Sequence, residues 1–260
     1  MSSPLILGHR GASARAPENT IAAFAQAMND GADGIEFDVR LSSDGVPVVI
    51  HDDSLKRTAS INQLVSQLTA EELRKTDVGS WLARKRPTLG QFAGEPLPLL
   101  SEVLDFFSTR AGFLYIEMKS DSQQGPLLAA AVVRLVREYQ FVDRVVVESF
   151  DLPSIREVKR LDGTMRTAAL FEPKLSHPLA TIRRRNMVAQ ALEHEADEIA
   201  LHHTLANKAT VERARERGLD VVLWTVDEPS WIKRAQLIGI KALIANDPSR
   251  MVRARSTFTS

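Results

Sequence analysis

Two pairs of charged residues have a spacing that places both members of a pair on one side of a β-strand. Glu36 and Asp38 are two residues apart in one apolar run, and Glu117 and Lys119 are two apart in a later run. Side chains two apart on a strand point to the same face. Three converging carboxylates would repel each other and raise each other's pKa values, a conflict that a bound cation removes. The pattern therefore favours a divalent cation held by Glu36, Asp38 and Glu117.

The donor set indicates the type of cation. All three residues offer oxygen ligands, and the sequence contains no cysteine. Oxygen ligands favour a hard ion, so Mg²⁺ or Ca²⁺ is expected, with Mn²⁺ as a third candidate. For a single carboxylate, the alternative is a solvated strand-end residue in a salt bridge. Two such pairs in different runs favour the metal site over that alternative.

Two histidines are candidates for proton transfer near the acidic cluster. His9 and His51 both follow apolar runs, and imidazole exchanges protons near neutral pH. Arg10 and Lys119 would bring positive charge to the same place, either as counter-ions or as ligands of a phosphodiester oxygen. Trp224 either lines a substrate or packs in the core. The other histidines are predicted to be structural: His177, His194, His202 and His203.

The elements that would position these residues are short apolar runs that alternate with helical patterns. Eight runs are nearly continuous in hydrophobicity, as expected for strands buried on both faces: Leu5–His9, Gly34–Val39, Phe113–Met118, Arg144–Ser149, Thr167–Phe171, Glu198–His202, Asp220–Thr225 and Lys241–Ala245. Helical periodicity is found at Thr20–Asn29, Leu127–Tyr139, Ser154–Leu161, Asn207–Arg217 and Ser230–Ile238. Eight such repeats in 260 residues predict an α/β protein with a (β/α)₈ barrel. A doubly wound open sheet is the alternative, but no GxGxxG turn follows the first run.

Two segments interrupt this alternation. Asp44-Gly45 lies between apolar runs and predicts a hairpin of Ile35–Ser42 with Val46–His51, which would bring Asp38 near His51. Residues 53–97 contain no clear strand and exceed an ordinary loop, so we expect a small inserted subdomain over the barrel mouth. The prediction is thus one domain, residues 1–260, with an insertion at about 53–97. The last residues, Arg250–Ser260, are expected to be a short helix end and a frayed terminus.

Composition excludes several classes of protein. The chain has 33 basic and 33 acidic residues and a formal net charge of zero, so nucleic acid and anionic membranes are not expected as main partners. The absence of cysteine excludes disulfides and a thiolate nucleophile. No run approaches the roughly 20 apolar residues of a membrane span, and no signal-peptide pattern is found. A cytoplasmic location is therefore expected.

Taken in order, the motifs closely resemble the glycerophosphodiester phosphodiesterases of the bacterial cytoplasmic type, from residue 5 to about residue 248. The shared motifs are His9-Arg10-Gly11, Glu18-Asn19-Thr20, Glu36-Phe37-Asp38-Val39, His51-Asp52, Arg57-Thr58, Glu117-Met118-Lys119, Ser149-Phe150 and Trp224-Thr225-Val226. The resemblance implies a TIM barrel with a small inserted subdomain after the second strand. It also implies hydrolysis of small glycerophosphodiesters, such as glycerophosphocholine or glycerophosphoethanolamine, to glycerol 3-phosphate and an alcohol.

The resemblance also assigns roles to residues. It implies that Glu36, Asp38 and Glu117 hold one divalent metal, with His9 as general base and His51 as general acid. It implies that Arg10 and Lys119 contact phosphate and that Trp224 lines the substrate side. The sequence departs from the family pattern at four positions: Leu99, Asp227, Lys241 and Ala245. These departures affect the expected alcohol specificity and the last-strand loop rather than the reaction.

Several alternatives stay open from the sequence. A relative that cleaves lysophospholipids or glycerophosphoinositol is the alternative within the family. A metal-dependent isomerase or aldolase would draw more ligands from later strands, and a non-catalytic barrel would lack a histidine or a carboxylate. The attacking oxygen is either water or the glycerol 2-hydroxyl, the latter through a cyclic phosphate. The sequence indicates neither the preferred alcohol nor the oligomeric state.

Overall fold

The computed structural model describes residues 3–119, 124–173 and 180–259, so the predicted role of His177 lies outside the described residues. One sheet contains all the named strands of the described residues. They are β1 Leu5–His9, β2 Gly34–Leu41, β3 Pro47–Val49, β4 Phe113–Met118, β5 Val145–Ser149, β6 Arg166–Phe171, β7 Glu198–His202, β8 Asp220–Trp224 and β9 Ala242–Ala245.

Eight of these strands form a closed parallel barrel. The order around it is β1, β2, β4, β5, β6, β7, β8 and β9, and each strand is parallel to its neighbours. Closure occurs at β1, where Leu7 pairs with Gly34 of β2 on one side and Ile244 of β9 on the other. The predicted (β/α)₈ barrel is therefore confirmed. Because all strands are parallel, their carboxyl ends meet at one mouth.

Helices follow the strands and cover the outside of the barrel. Their bounds are α1 Ile21–Asn29, α2 Lys56–Ala59, α3 Ala70–Arg74, α4 Ser80–Lys85, α5 Leu100–Ser108, α6 Gly125–Glu138, α7 Leu152–Leu161, α8 Ala180–Glu193, α9 Lys208–Glu216, α10 Ser230–Ile238 and α11 Pro248–Thr259. Short 3₁₀ turns occur at Val65–Gln67, Pro87–Phe92 and His203–Leu205. None of the described helices is long and apolar enough to cross a membrane.

The chain end differs from its prediction. Instead of a short helix end and a frayed terminus, α11 extends from Pro248 to Thr259. The reason is tertiary: Met251 is fully buried, and the Arg255 guanidinium is bound by the Asp33 carboxylate beside β1. These contacts stabilise a helix whose own sequence is too polar to indicate one.

The core has an inner and an outer layer, which explains the continuous hydrophobicity of the strands. Side chains such as Leu7, Tyr115 and Val146 fill the barrel interior. Alternate residues such as Ile35 and Phe37 point outward and pack beneath the helices. Since both faces of each strand are buried, polar residues are accommodated only at strand ends or where they find partners.

The predicted hairpin is found after β2. Strand β3 is antiparallel to β2, with Val39 opposite Val49, and the Ile50 N–H donates to the Asp38 carbonyl. The segment that follows, residues 53–97, contains α2, α3 and α4 and is called the inserted segment below. It has an apolar cluster of its own, which includes Leu55, Leu73 and Leu97 and packs on Val48 and Ile50 at β3.

Candidate active site

A tight turn after β1 brings the first polar residues to the barrel mouth. Arg10 and Gly11 both have positive φ angles, 54° and 79°. A Cβ on Gly11 would lie 2.6 Å from the Ala23 carbonyl carbon, so only glycine lets this turn pack against α1. The turn directs the Arg10 backbone N–H to Glu36 Oε2, at 3.1 Å. The backbone thus positions the first of the acidic residues.

The three predicted metal ligands converge at the ends of β2 and β4. One oxygen from each of Glu36, Asp38 and Glu117 lies within 4.8 Å of the others. Asp38 and Glu117 are register partners on neighbouring strands, and all three side chains are buried. Glu36 Oε1 is buried without a hydrogen-bond partner among the described residues. A buried oxygen without a donor, beside two further carboxylates, fits a hard divalent cation.

Two basic side chains and one amide surround the carboxylates. Arg10 Nε lies 3.1 Å from Asp38 Oδ2, and Lys119 Nζ lies 3.2 Å from Asp38 Oδ1 and 2.6 Å from Glu117 Oε1. Asn19 Nδ2 donates to Asp38 Oδ2 at 2.8 Å. Asp38 is therefore held from both sides, and its position at the centre of the cluster is fixed.

The pKa values show that the positive charges do not neutralise the cluster. Burial would raise the pKa of Asp38, but Arg10 and Lys119 hold it well below its usual range. Burial and the Asp38 charge raise the pKa of Glu117 from 4.5 to about 7, and the same two causes raise that of Glu36 well above its usual range. Without a cation, the site therefore binds protons instead.

A chain of hydrogen bonds from β8 and β9 orients His9. Asn246 Nδ2 donates to Asp227 Oδ2 at 2.7 Å, so Asn246 Oδ1 faces His9 Nδ1, also at 2.7 Å. Accordingly Nδ1 carries the proton, and Nε2 presents its lone pair, 3.8 Å from Glu36 Oε2. Burial and the Arg10 charge lower the pKa of His9 from 6.5 to about 4. His9 is therefore a neutral imidazole at pH 7.

His51 lies on the other side of the mouth, after β3, and has its own acidic partner. His51 Nδ1 lies 2.7 Å from Asp52 Oδ1, and Arg57 Nε donates to Asp52 Oδ2 at 2.6 Å. Arg57 also binds Glu18, which in turn accepts from Arg10 at 2.9 Å. Burial and the charges of Arg10 and Lys119 lower the pKa of His51, while Asp38 opposes them. The proximity of Asp38 agrees with the predicted hairpin.

Trp224 is placed apart from the other predicted residues. It ends β8, and its indole N–H donates to the Ala200 carbonyl at 3.3 Å. Its ring packs edge-on against Phe150 and His202, with centroids 5.5 and 5.2 Å away. Lys119 Nζ lies 5.7 Å from the Phe150 ring centre. Trp224 is thus connected to the acidic cluster through the Phe150 ring, which lies near both Trp224 and Lys119.

Sequence reasoning missed a fourth carboxylate in the barrel. Glu148 of β5 is the register partner of Glu117 and is 1% exposed, and its Oε2 has no hydrogen-bond partner among the described residues. Burial and the Glu36 charge raise its pKa well above the usual range. The sequence contains one signal that could have identified this residue: Glu148 is the single acidic residue in the apolar run Val145–Ser149, one residue before its end.

The departures from the family pattern lie at different ends of the barrel. Asp227 holds Asn246 and therefore acts on His9. Lys241 binds Glu198 and Asp220 at the opposite, amino ends of the strands. Ala245 is a buried register partner of Gly8, and Leu99 precedes α5. Only Asp227 thus has a described connection to the predicted catalytic residues.

Comparison with known proteins agrees with this architecture. The model of the glycerophosphoryl diester phosphodiesterase family matches residues 9–250. A glycerophosphodiester phosphodiesterase from Caldanaerobacter subterraneus subsp. tengcongensis is 35% identical over 250 residues, which is 95% of this chain and 96% of that protein. A glycerophosphodiester phosphodiesterase structure from Agrobacterium tumefaciens str. C58 covers 96% of this chain and 99% of its own, with 26% identity and a TM-score of 0.78. An Oleispira antarctica phosphodiesterase in complex with the product sn-glycerol-3-phosphate covers 98% and 97%, with 25% identity and a TM-score of 0.83.

Proposed function

Because the chain belongs to the glycerophosphoryl diester phosphodiesterase family, we propose that it hydrolyses small glycerophosphodiesters to glycerol 3-phosphate and an alcohol in a metal-dependent reaction. The observation that carries this proposal is the convergence of Glu36, Asp38 and Glu117 within 4.8 Å, between two basic side chains. The glycerol 3-phosphate bound to the Oleispira antarctica relative supports the same product.

Glu36, Asp38 and Glu117 would hold one divalent cation, which we propose to be Mg²⁺ or Ca²⁺. When bound, the cation would act as a Lewis acid that draws electron density from a phosphoryl oxygen. The local charges favour this arrangement. Three carboxylates with Arg10 and Lys119 have a net charge of −3 + 2 = −1, and a divalent ion changes it to +1. A phosphodiester carries one negative charge, so the complete site would be neutral.

Arg10 and Lys119 would bind the phosphate. Both already lie against Asp38, at 3.1 and 3.2 Å, so they are fixed beside the cation ligands before substrate arrives. Prearranged charges of this kind stabilise the negative charge that builds up on phosphoryl oxygens in the transition state. The same two residues would hold the phosphate near His9 and His51.

His9 would act as the general base. Its neutral imidazole has a free lone pair on Nε2, and Asn246 keeps the ring in that tautomer. His9 Nε2 would take the proton of the attacking oxygen, which belongs either to water or to the glycerol 2-hydroxyl. A new bond from that oxygen to phosphorus then forms as the bond to the alcohol breaks. Where the oxygen is the 2-hydroxyl, water must then open the cyclic phosphate to give glycerol 3-phosphate.

His51 would act as the general acid. Asp52 accepts from Nδ1 and favours a protonated ring, in which Nε2 carries the second proton. That proton would move to the oxygen of the departing alcohol. A phosphodiester bound to Arg10 and Lys119 would offset the two charges that lower the pKa of His51. Substrate binding would therefore favour the protonated acid.

The experiment that tests the proposal is product identification. Purified protein with Mg²⁺ or Ca²⁺ is incubated with glycerophosphocholine, glycerophosphoethanolamine, glycerophosphoglycerol, glycerophosphoinositol and a lysophospholipid, and products are followed by ³¹P NMR. We expect glycerol 3-phosphate from at least one small diester. Cleavage only of the lysophospholipid, to lysophosphatidic acid and an alcohol, or only of glycerophosphoinositol would favour the alternative relative. No cleavage of any of the five compounds would refute the proposal. A cytoplasmic location stays a prediction.

A further inference from the structure

A cavity of about 380 Å³ opens beside the acidic cluster. Glu117 and Lys119 line its inner end. One wall is the turn after β5, with Phe150 and Asp151, and the opposite wall belongs to the inserted segment, with Asp53 and residues 64–66. The inserted segment therefore completes a pocket that the barrel alone would leave open.

The cavity lies beside the segment that carries His51, since Asp53 lines it. Arg40 lines it and donates through Nε to the His51 carbonyl oxygen, at 2.9 Å. His9 is held from the ends of β8 and β9 by Asn246 and Asp227, and none of the three is among the described residues that line the cavity. Since His51 is the proposed donor to the departing oxygen, the cavity is placed to receive the alcohol rather than the attacking group.

Three carboxylates and two basic residues line the cavity: Asp53, Glu117, Asp151, Arg40 and Lys119. Lys119 lies against Asp38 and Glu117 and is assigned to the phosphate. Arg40 donates to two backbone carbonyls and interacts electrostatically with Asp53. Asp53 is exposed, and its carboxylate accepts no hydrogen bond from the residues that the structure describes. Asp151 binds the Ser154 hydroxyl through Oδ2, while its Oδ1 has no described partner. Asp53 and Asp151 are therefore the two lining carboxylates that lie outside the proposed cation site.

We propose that this cavity binds the alcohol part of the substrate and that it selects alcohols bearing a primary ammonium group, held by Asp53 and Asp151. The half-exposed Phe150 ring offers an apolar surface to the carbon atoms of such an amino alcohol. An anionic head group would be repelled by the same two carboxylates, and a polyol would gain no charge-assisted bond. This inference rests on the proposed function, because it requires that glycerophosphodiesters are the substrates.

The test compares kcat/KM for glycerophosphoethanolamine and glycerophosphoglycerol in three proteins. Asp151→Asn keeps an oxygen for the Ser154 hydroxyl, and Asp53→Asn alters an exposed residue outside any helix, so both variants should fold. Loss of one charge-assisted hydrogen bond should lower kcat/KM for glycerophosphoethanolamine by about tenfold in each variant. The value for glycerophosphoglycerol should change less than about twofold, because that bond is not made.

Glu216→Gln is the matched control, because it removes an exposed carboxylate on α9, away from the cavity, and should leave both values unchanged. Equal losses for both substrates would overturn the inference, because the carboxylates would then act on the phosphate or on the start of α7. Unchanged values in both variants would also overturn it, while the proposed function would stand. Release of glycerol 3-phosphate by the wild-type protein from neither substrate, nor from any other glycerophosphodiester of the panel above, would instead refute the proposed function.

Discussion

The charge of Glu117 should destabilise the protein when no cation is bound. Burial and Asp38 raise its pKa from 4.5 to about 7, so the folded state binds a proton more tightly than the unfolded state. The free energy of unfolding of the metal-free protein must then fall as pH rises from about 4.5 to 7. With about 1.4 kcal/mol for each pH unit, a rise of about 2.5 in pKa corresponds to about 3 kcal/mol at pH 8.

Glu117→Gln tests this reasoning, because the amide has the shape of the protonated acid and never ionises. The substitution also removes the 2.6 Å ion pair between Glu117 and Lys119, so part of the gain in the free energy of unfolding is lost. Lys119 keeps Asp38 as a partner. In the presence of a chelator at pH 8, we expect the variant to be more stable by about 2 kcal/mol, a rise in Tm of about 4–8 °C. At pH 5, where Glu117 is mostly protonated in the folded wild-type protein, most of the difference should disappear.

Thermal unfolding followed by circular dichroism measures the difference in stability at pH 8 and at pH 5. Glu216→Gln is the control for loss of an exposed carboxylate. Adding Mg²⁺ or Ca²⁺ at about 100 times its Kd should stabilise the wild-type protein by about 2.7 kcal/mol and reverse the order at pH 8. A variant that is less stable than wild type at pH 8 in chelator would refute the reasoning. A difference of equal size at pH 5 would refute it as well.

Three further changes test the assigned roles, with circular dichroism as the check on folding. His51→Ala should lower turnover of alkyl diesters by about 10²–10⁴-fold but affect a p-nitrophenyl diester far less, because nitrophenolate leaves without a proton; equal losses would remove His51 as the acid. Asp38→Asn should weaken cation binding in calorimetry and activity together, and unchanged affinity would contradict its role as a ligand. Asn246→Ala frees the His9 ring and should lower kcat with KM within about twofold, whereas a rise in KM alone would contradict its positioning role.

The barrel could be predicted because burial on both faces leaves a strong trace in the sequence. Strands β1, β4 and β7 have the bounds expected from their apolar runs. Helix α11 could not be predicted in full, because it depends on tertiary contacts such as the Arg255 interaction with Asp33. A local pattern predicts a helix or strand when the residues that stabilise it belong to that pattern. Helix α11 is stabilised instead by contacts with residues far away in the sequence.

The candidate site also has features that the sequence predicted and features that it could not predict. Same-face spacing was enough to predict that Glu36, Asp38 and Glu117 converge, because neighbouring parallel strands bring such pairs together. The partners of His9 were not predicted, because Asn246 lies 237 positions away in the sequence. Only closure of the barrel between β1 and β9 brings these residues into contact. No local pattern contains that information.

The most direct measurement is the rate of glycerol 3-phosphate release from a small glycerophosphodiester before chelation, after chelation and after the cation is restored. Three buried carboxylates lie within 4.8 Å of one another, and a bound cation would stabilise their ionised forms. We predict that release falls to the background rate in chelator and returns with Mg²⁺ or Ca²⁺. Release that continues undiminished after complete chelation would contradict the metal-dependent site.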